Sequence, residues 1–219
     1  IKNSKIFDNV SGTGGGGLGL NNSNVLLENT VIYNNTGYSA GGGIKTNGSY
    51  PNTTIINCTI ANNLSTTTPQ TSNIGNSGGD TELLIITNSI IYHQSLDNWG
   101  FDTPTLLEIE YTFANSFYDI YEFDGPGNLY GDPLFVDVDD YHLQWGSPAI
   151  DAGHPDLDGD GDYYLVDPDD QDPDGTRMDM GAFYFDQTDS IPPEVSITEL
   201  SSTNIGTEDD LTVSWNASD

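Results

Sequence analysis

The stretch of this chain with the clearest capacity for chemistry is DLDGDGDYYLVD, residues 156–167, which holds five aspartates and two glycines. Carboxylates placed this close repel one another, so the stretch is stable only if water solvates each charge or a cation binds between them. Hard divalent cations prefer oxygen ligands of this kind. The spacing of the aspartates therefore decides which interpretation is the better one.

The spacing matches the ligand order of an EF-hand loop. With Asp156 at position 1, aspartates fall at the ligand positions 3, 5, 7 and 12, and Gly161 falls at position 6, where the loop turns sharply. The candidate calcium ligands in this loop are Asp156, Asp158, Asp160, Asp162 and Asp167. We predict a calcium site without flanking helices. The alternative is an acidic loop that water alone solvates.

A second acidic run, DPDDQDPDG, covers residues 167–175 and repeats the alternation without the full pattern. It adds Asp172 and Asp174 as candidate metal ligands, which would complete the first site or form another. Asp179 is a weaker candidate. Arg177, the only arginine of the chain, is expected to pair with one of these carboxylates.

The charge of the chain narrows the classes of partner. It has 34 acidic residues against 4 basic ones, a formal net charge of -30, and most of the acids follow residue 95. This balance argues against binding to nucleic acid or to an anionic membrane. No apolar run is long enough to span a bilayer, and Cys58 is alone, so an internal disulfide is excluded.

The neutral half of the chain is a repeat. Four segments align position by position: NSKIFDN from Asn3, NTVIYNN from Asn29, NCTIANN from Asn57 and NSIIYHQ from Asn88. Apolar residues recur two positions before each Asn (Ile1, Leu27, Ile55, Ile86) and three positions after it (Ile6, Ile32, Ile60, Ile91). The spacings of 26, 28 and 31 residues predict stacked strands around a continuous apolar interior.

Three smaller patterns follow the same repeat. The repeated Asn residues are predicted to stack and to hydrogen-bond through their side-chain amides as an Asn ladder. Glycine runs place Gly17 and Gly43 26 residues apart, which predicts tight turns that lead into strands. Cys58 falls in a column of small residues, so we interpret it as a buried structural thiol.

The GGGI and N-[CST]-x-I coils resemble the right-handed parallel β-helix of the pectate-lyase type, in its exported bacterial form, over about residues 1–123. Further on, GDPLFVD, YHLQWGSPAIDAG and DPDGTRMDMGAFYF resemble the C-terminal region of exported bacterial β-helix proteins of the choice-of-anchor Q type, over about residues 131–186. Many members of that family carry tails for type IX secretion. The resemblance implies a secreted or cell-surface bacterial protein, and it does not imply an enzyme.

We expect the acidic region to close one end of the solenoid. The open end of a solenoid exposes unpaired strand edges and apolar interior, so a terminal segment must cover it. We predict that residues 124–190 form this cap, with Phe135 and Trp145 as packing residues. The predicted fold class is thus all-β: a right-handed parallel β-helix with an acidic, calcium-binding C-terminal cap and a truncated β-sandwich start.

The last segment begins a further domain. After the diproline Pro192–Pro193, VSITEL and LTVSW are two alternating strands that resemble the start of a bacterial immunoglobulin-like module. Only two of about seven required strands are present. We therefore expect coils over 1–123, the cap over 124–190, and an incomplete module over 191–219 of a longer protein.

The sequence favours a non-catalytic, adhesin-like scaffold at the cell surface or outside the cell. Its expected partners are extracellular polysaccharide or sister subunits, in a filament if the outward aromatic residues Phe7, Tyr33 and Tyr92 pack laterally. The alternative is a polysaccharide lyase or hydrolase of the β-helix fold. Asp139 and Asp140 are a poor carboxylate pair for that chemistry, because neighbouring strand residues point to opposite faces.

Overall fold

The architecture is taken from a computed structural model, which describes residues 1–38, 41–47, 52–67, 73–76, 83–93, 99–101, 106–115 and 125–188. The chain divides into two compact units, Ile1–Asp186 and Gln187–Asp219. The predicted immunoglobulin-like start at 191–219 and the expected boundary near residue 123 lie outside the described residues. All the described strands belong to the first unit.

The described part of this unit consists of short strands and turns. The strands are β1 (Lys5–Phe7), β2 (Val10–Ser11), β3 (Leu18–Asn21), β4 (Val25–Glu28), β5 (Val31–Tyr33), β6 (Thr36–Gly37), β7 (Ile44–Asn47), β8 (Asn52–Ile56), β9 (Thr59–Ala61), β10 (Leu64–Ser65), β11 (Ile74–Asn76), β12 (Leu83–Thr87), β13 (Ile90–Tyr92), β14 (Trp99–Phe101), β15 (Leu106–Glu110), β16 (Phe113–Ala114), β17 (Leu129–Tyr130), β18 (Phe135–Asp137) and β19 (Asp140–Leu143). A single turn of 3-10 helix covers Pro168–Asp170.

The strands form four parallel sheets and one antiparallel pair. Sheet I has the order β1-β5-β9-β13-β16-β17, sheet II β10-β6-β2, sheet III β14-β11-β7-β3 and sheet IV β15-β12-β8-β4, while β18 and β19 form the antiparallel pair. From β1 to β13, consecutive strands belong to different sheets, and strands four apart pair side by side. The prediction of an all-β fold is confirmed, with parallel sheets as its main feature.

The register of the sheets joins the repeated apolar residues. In sheet I, Ile32 pairs with Ile6 and with Ile60, and Ile60 pairs with Ile91. In sheet IV, Ile55 joins Leu27 to Ile86 in the same way. These side chains form one core, and Leu27, Ile32, Ile55, Ile60, Ile86 and Ile91 are all fully buried. The predicted interior columns are confirmed, except in the first repeat, where Ile1 is half exposed and Ile6 is only partly buried.

The repeated Asn residues close turns rather than form the predicted ladder. Asn3, Asn29, Asn57 and Asn88 have φ angles between 49° and 52°, a left-handed conformation that Asn tolerates better than most residues. Tyr111 takes the same conformation, with φ of 47°, at the start of a fifth repeat that the sequence alignment did not include. The repeat is therefore defined by backbone conformation more than by the Asn itself.

The Asn ladder lies six residues further along each repeat. Asn9 donates from Nδ2 to Oδ1 of Asn35 at 3.0 Å, and Asn35 donates to Asn63 at 2.9 Å. Asn63 also donates to Asn73, ten residues further along the same repeat and outside this spacing, at 2.9 Å. Each acceptor oxygen also receives the backbone N–H of the preceding Asn. These bonds satisfy amides that are fully buried at Asn35, Asn63 and Asn73.

Two columns of small residues let the repeats approach closely. A Cβ atom on Gly17 would lie 2.7 Å from the carbonyl oxygen of Gly43, so the glycine repeat is required by contact between neighbouring chains. Cys58 is buried with Thr30 and Ser89, and each donates to the carbonyl two residues earlier. Cys58 is fully buried, as predicted, and this burial raises the pKa of its thiol to about 12.

Residues 132–186, which we call the acidic cover, lie on the outer face of sheet I. The cover donates backbone N–H bonds from Ala182 to Thr59 Oγ1 at 3.0 Å and from Gly181 to the Asn88 carbonyl at 2.7 Å. Val31 packs against its residue Tyr141. The prediction placed this region over the end of the stack, and that placement is wrong. Strands of sheet I carry apolar residues on both faces, so the outer face must also be covered.

The aromatic residues of the cover divide into buried and exposed ones. Phe135 packs edge-on against Tyr92 and Tyr141, at ring-centroid distances of 5.6 Å and 5.1 Å, which confirms its packing role. Tyr33 lies 5.0 Å from Tyr141, so its neighbour belongs to the same chain. Trp145 contacts the ring of Phe185, with 5.9 Å between centroids, but it is 72% exposed and is not part of the buried core. No described helix is long and apolar enough to cross a membrane.

Candidate metal centre

The aspartate-rich loop folds on itself through short backbone contacts. Asp158 Oδ1 accepts the backbone N–H of Asp160 at 3.1 Å, and Asp160 Oδ1 accepts that of Asp162 at 2.8 Å. Gly159 and Gly161 lie between them with φ angles of 73° and 98°, a left-handed region that favours glycine. The alternation of Asp and Gly thus produces a tight loop whose carboxylates stay near one another.

Two groups of three carboxylates are close enough to share a cation. Asp156, Asp158 and Asp170 form one group, and Asp158, Asp160 and Asp167 form the other. Within each group, one oxygen per residue lies within 4.8 Å of the others. Two oxygens on opposite sides of a calcium ion are about 4.6–5.2 Å apart. The oxygens in both groups are therefore close enough to bind one calcium ion. Asp162 belongs to neither group among the described residues, although the EF-hand order had included it.

Asp170 is the group member that sequence reasoning missed. It ends the 3-10 helix Pro168–Asp170, which begins after Asp167, and the side chain of Asp167 accepts the backbone N–H of Asp169 at 2.9 Å. The helical turn directs Asp170 back towards the loop, where its Oδ1 accepts the backbone N–H of Leu157. The pair Asp167–Pro168 was a sequence signal for this turn, because Asp followed by Pro is typical of a helix start.

The Asp170 carboxylate has an unusual environment. Its residue is fully buried, and its Oδ2 atom has no hydrogen-bond partner among the described residues. Oδ1 of Asp156 is also buried and has no hydrogen-bond partner among the described residues. Burial raises the pKa of Asp170, and the charges of Asp167, Asp158 and Asp156 raise it further. Two buried carboxylate oxygens that lack donors are thus present in one group of acids.

The second acidic run forms a separate cluster. Asp172 Oδ2 accepts the backbone N–H of Asp179 at 2.7 Å, and Asp174 Oδ1 accepts both the N–H and the hydroxyl of Thr176. Burial is the main cause that raises the pKa of Asp172 to about 7 and that of Asp179 to about 6. Neither Asp172 nor Asp174 joins the two carboxylate groups of the loop. The structure therefore brings together four of the seven predicted ligands.

Arg177 takes a different position from the one predicted. Its guanidinium lies over the rings of Tyr111 and Tyr164, 5.5 Å and 5.9 Å from their centroids. None of the ion pairs between described residues includes Arg177, so the predicted pairing with an aspartate is wrong. The cation instead packs between the cover and the repeat that starts at Tyr111.

A groove lies between the acidic cover and the first repeats. It has a volume of about 450 Å³, and its lining includes Lys5, Asn29, Asn57, Asp172 and Asp179. Both oxygens of Asp179 accept backbone N–H groups, from Asp151 and from Phe185. The groove has a mixed polar and apolar lining, and burial raises the pKa of Asp172 in it to about 7.

Asp139 and Asp140 lie apart from this groove and have different partners. Asp139 accepts from Asn34 Nδ2 at 2.8 Å, whereas Asp140 contacts His142 Nδ1 at 2.5 Å. The two carboxylates are therefore not directed at one bond. This agrees with the expectation from their positions as neighbours in the sequence.

Comparison with known proteins adds no further assignment: no family model, curated protein or solved structure matches the chain.

Proposed function

We propose that the chain is a non-catalytic scaffold of the cell surface or extracellular space, built as a right-handed parallel β-helix with a choice-of-anchor Q type region at 131–186. The observation that carries the proposal is the parallel pairing of strands four apart, in a register that joins repeated apolar residues. A solenoid of this kind repeats one coil and buries each coil against the next.

Two features of the structure support a rigid scaffold. The Asn ladder ties successive repeats together at one edge, through the bonds from Asn9 to Asn35 and from Asn35 to Asn63. The acidic cover shields the outer face of sheet I, and its surface leaves the molecule strongly negative. Such a surface suits extracellular polysaccharide or sister subunits bridged by cations, and it disfavours nucleic acid.

Calcium is the cofactor that we propose for the loop at 156–167. The support is the approach of Asp156, Asp158, Asp160 and Asp167 in two overlapping groups of carboxylates. Calcium accepts six to eight oxygen ligands in flexible geometry, whereas magnesium prefers few protein ligands and a rigid octahedron. A bound ion would convert repulsion inside the cover into attraction.

The groove gives specific support to the alternative, a polysaccharide lyase or hydrolase. Asp172, whose pKa is raised to about 7, has the property of a general acid, and Lys5 lies in the same groove. A hydrolase also needs a second free carboxylate. Asp179 is the neighbour available, and both its oxygens already accept backbone N–H groups. The scaffold is therefore the better supported function.

The test is an assay for depolymerisation of pectin, alginate and related glycans by the purified chain. We expect no new reducing ends and no unsaturated products. Cleavage that is lost in Asp172→Asn or Lys5→Ala, but kept in the exposed variant Asp169→Asn, would replace the scaffold by an enzyme. Cleavage lost on changing Asp139 or Asp140 to Asn would do the same.

A further inference from the structure

We propose that the calcium ion is held at the inner group, Asp156, Asp158 and Asp170, so that it joins the loop to the 3-10 helix of the acidic cover. This inference deepens the proposed function, on which it rests for the calcium chemistry. It differs in its ligands: a residue outside the twelve-residue loop supplies the buried carboxylate, and the EF-hand order is not followed.

Asp170 has an oxygen without a hydrogen-bond donor. A fully buried carboxylate normally has each oxygen satisfied by hydrogen-bond donors or by a cation. Here the backbone N–H of Leu157 satisfies Oδ1, and Oδ2 has no partner among the described residues. Carboxylate oxygens of Asp156 and Asp158 lie within 4.8 Å of an oxygen of this carboxylate, and ionised acids cannot donate a hydrogen bond. A cation satisfies such an oxygen where no donor is available.

Asp156 contributes a second oxygen of the same kind. Its Oδ1 atom is also buried without a hydrogen-bond partner among the described residues, and a carboxylate oxygen of Asp156 lies within 4.8 Å of those of Asp158 and Asp170. The two residues that carry these orphaned oxygens, in the loop and in the 3-10 helix, therefore belong to one group. Three carboxylates supply up to six oxygens for calcium, and water can supply any ligands that remain.

The outer group of carboxylates lacks this feature. Asp158 is common to both groups. The two residues that only the outer group contains are the exposed Asp160 and the half-buried Asp167, and each already accepts a backbone N–H, from Asp162 and from Asp169. Exposed acids of this kind are solvated by water without a metal. The buried, unpaired oxygens are what distinguish the inner group as the site.

The experiment is a calorimetric titration of the full chain with calcium chloride, after removal of metal with EDTA. Asp170→Asn is the main variant, because the amide oxygen can still accept the Leu157 N–H while the charge is lost. Asp169→Asn is the matched control, since it changes an exposed carboxylate on the same helical turn. Asp156→Asn provides a second test, because it changes another proposed ligand of the same site.

We expect Asp170→Asn and Asp156→Asn to weaken calcium affinity by about tenfold or more, because each removes one charged ligand. Asp169→Asn should change the affinity by less than about twofold. Without metal, Asp170→Asn should melt no lower than the wild type, since a buried unpaired charge is gone; this separates a ligand from a merely structural residue.

Wild-type affinity in Asp170→Asn would overturn the inner site. If Asp160→Asn and Asp167→Asn alone weaken binding, calcium binds at the outer group and the broader calcium proposal survives. The absence of any calcium binding by the wild type would overturn both. Catalytic activity in the glycan assay would instead refute the proposed scaffold function, but it would not contradict the proposed metal site.

Discussion

At the scale of single residues, Asp172 and Asp179 make stability depend on pH. Burial raises both folded-state pKa values, to about 7 and about 6, above the value of about 3.9 for an unfolded Asp. Between about pH 4 and pH 7 the folded protein therefore binds protons that the unfolded chain has released. The free energy of unfolding must fall as pH rises through this window.

We expect a fall on the order of 2 kcal/mol between pH 5 and pH 8. The measurement is urea unfolding in EDTA, so that metal binding does not mask the carboxylates. Asp172→Asn should flatten the slope because the amide does not ionise, and the exposed variant Asp169→Asn should leave it unchanged. A stability that rises with pH, or an equal slope in Asp172→Asn, would contradict this account.

Residue identity also shows where sequence reasoning reaches its limit at the candidate site. Alternation of Asp and Gly predicted that Asp156, Asp158, Asp160 and Asp167 lie close together, and they do. Asp170 was missed because it belongs to no alternation, and only the 3-10 helix turns it towards the loop. A ligand set depends on the path of the chain as well as on spacing along it.

At the scale of elements, the Asn ladder is expected to carry a large share of repeat stability. Asn63 Oδ1 accepts both the backbone N–H and the side-chain amide of Asn35, and Asn63 is fully buried. Asn63→Ala removes the acceptor of the buried Asn35 N–H, at a cost of about 1–3 kcal/mol, and also removes the bonds that the Asn63 amide itself donates to Ile32 and Asn73. The side-chain amide of Asn35 keeps the Ile6 and Tyr33 carbonyls as acceptors. We expect a loss of about 3 kcal/mol in total.

Urea unfolding at fixed calcium concentration measures this loss. The matched control is Asn21→Ala, which changes an exposed Asn in strand β3 and should cost about 0.5 kcal/mol or less. Equal costs for the two variants would show that the ladder is incidental to stability.

The ladder also explains what the repeat could and could not predict. Apolar columns such as Leu27, Ile55 and Ile86 were predictable because their spacing fixes one face of stacked strands. The position of the ladder was not predictable, because the sequence has pairs such as Asn62–Asn63 and does not show which of the two amides joins the ladder. Asn62 adopts a left-handed turn, whereas the side chain of Asn63 points inward. This difference in backbone conformation cannot be read from the composition.

At the scale of the whole first unit, the acidic cover and sheet I depend on each other. Outer-face residues such as Val31, Ile90 and Phe113 are buried only because the cover lies over them. Consecutive apolar pairs, such as Val31–Ile32 and Ile90–Ile91, were a sequence signal that both faces of this sheet are buried. The predicted apolar columns included only the inner face, and for that reason the cover was expected at the end of the stack.

The most direct test of the proposal that a cation holds the acidic cover together is hydrogen exchange in calcium and in EDTA. Amides of residues 132–186 should exchange about tenfold or more faster in EDTA, because local opening becomes easier when the carboxylates repel. Amides of β8 and β12, inside the stack, should keep their protection. Equal exchange of residues 132–186 in both buffers, with no calcium bound by mass spectrometry, would contradict the account.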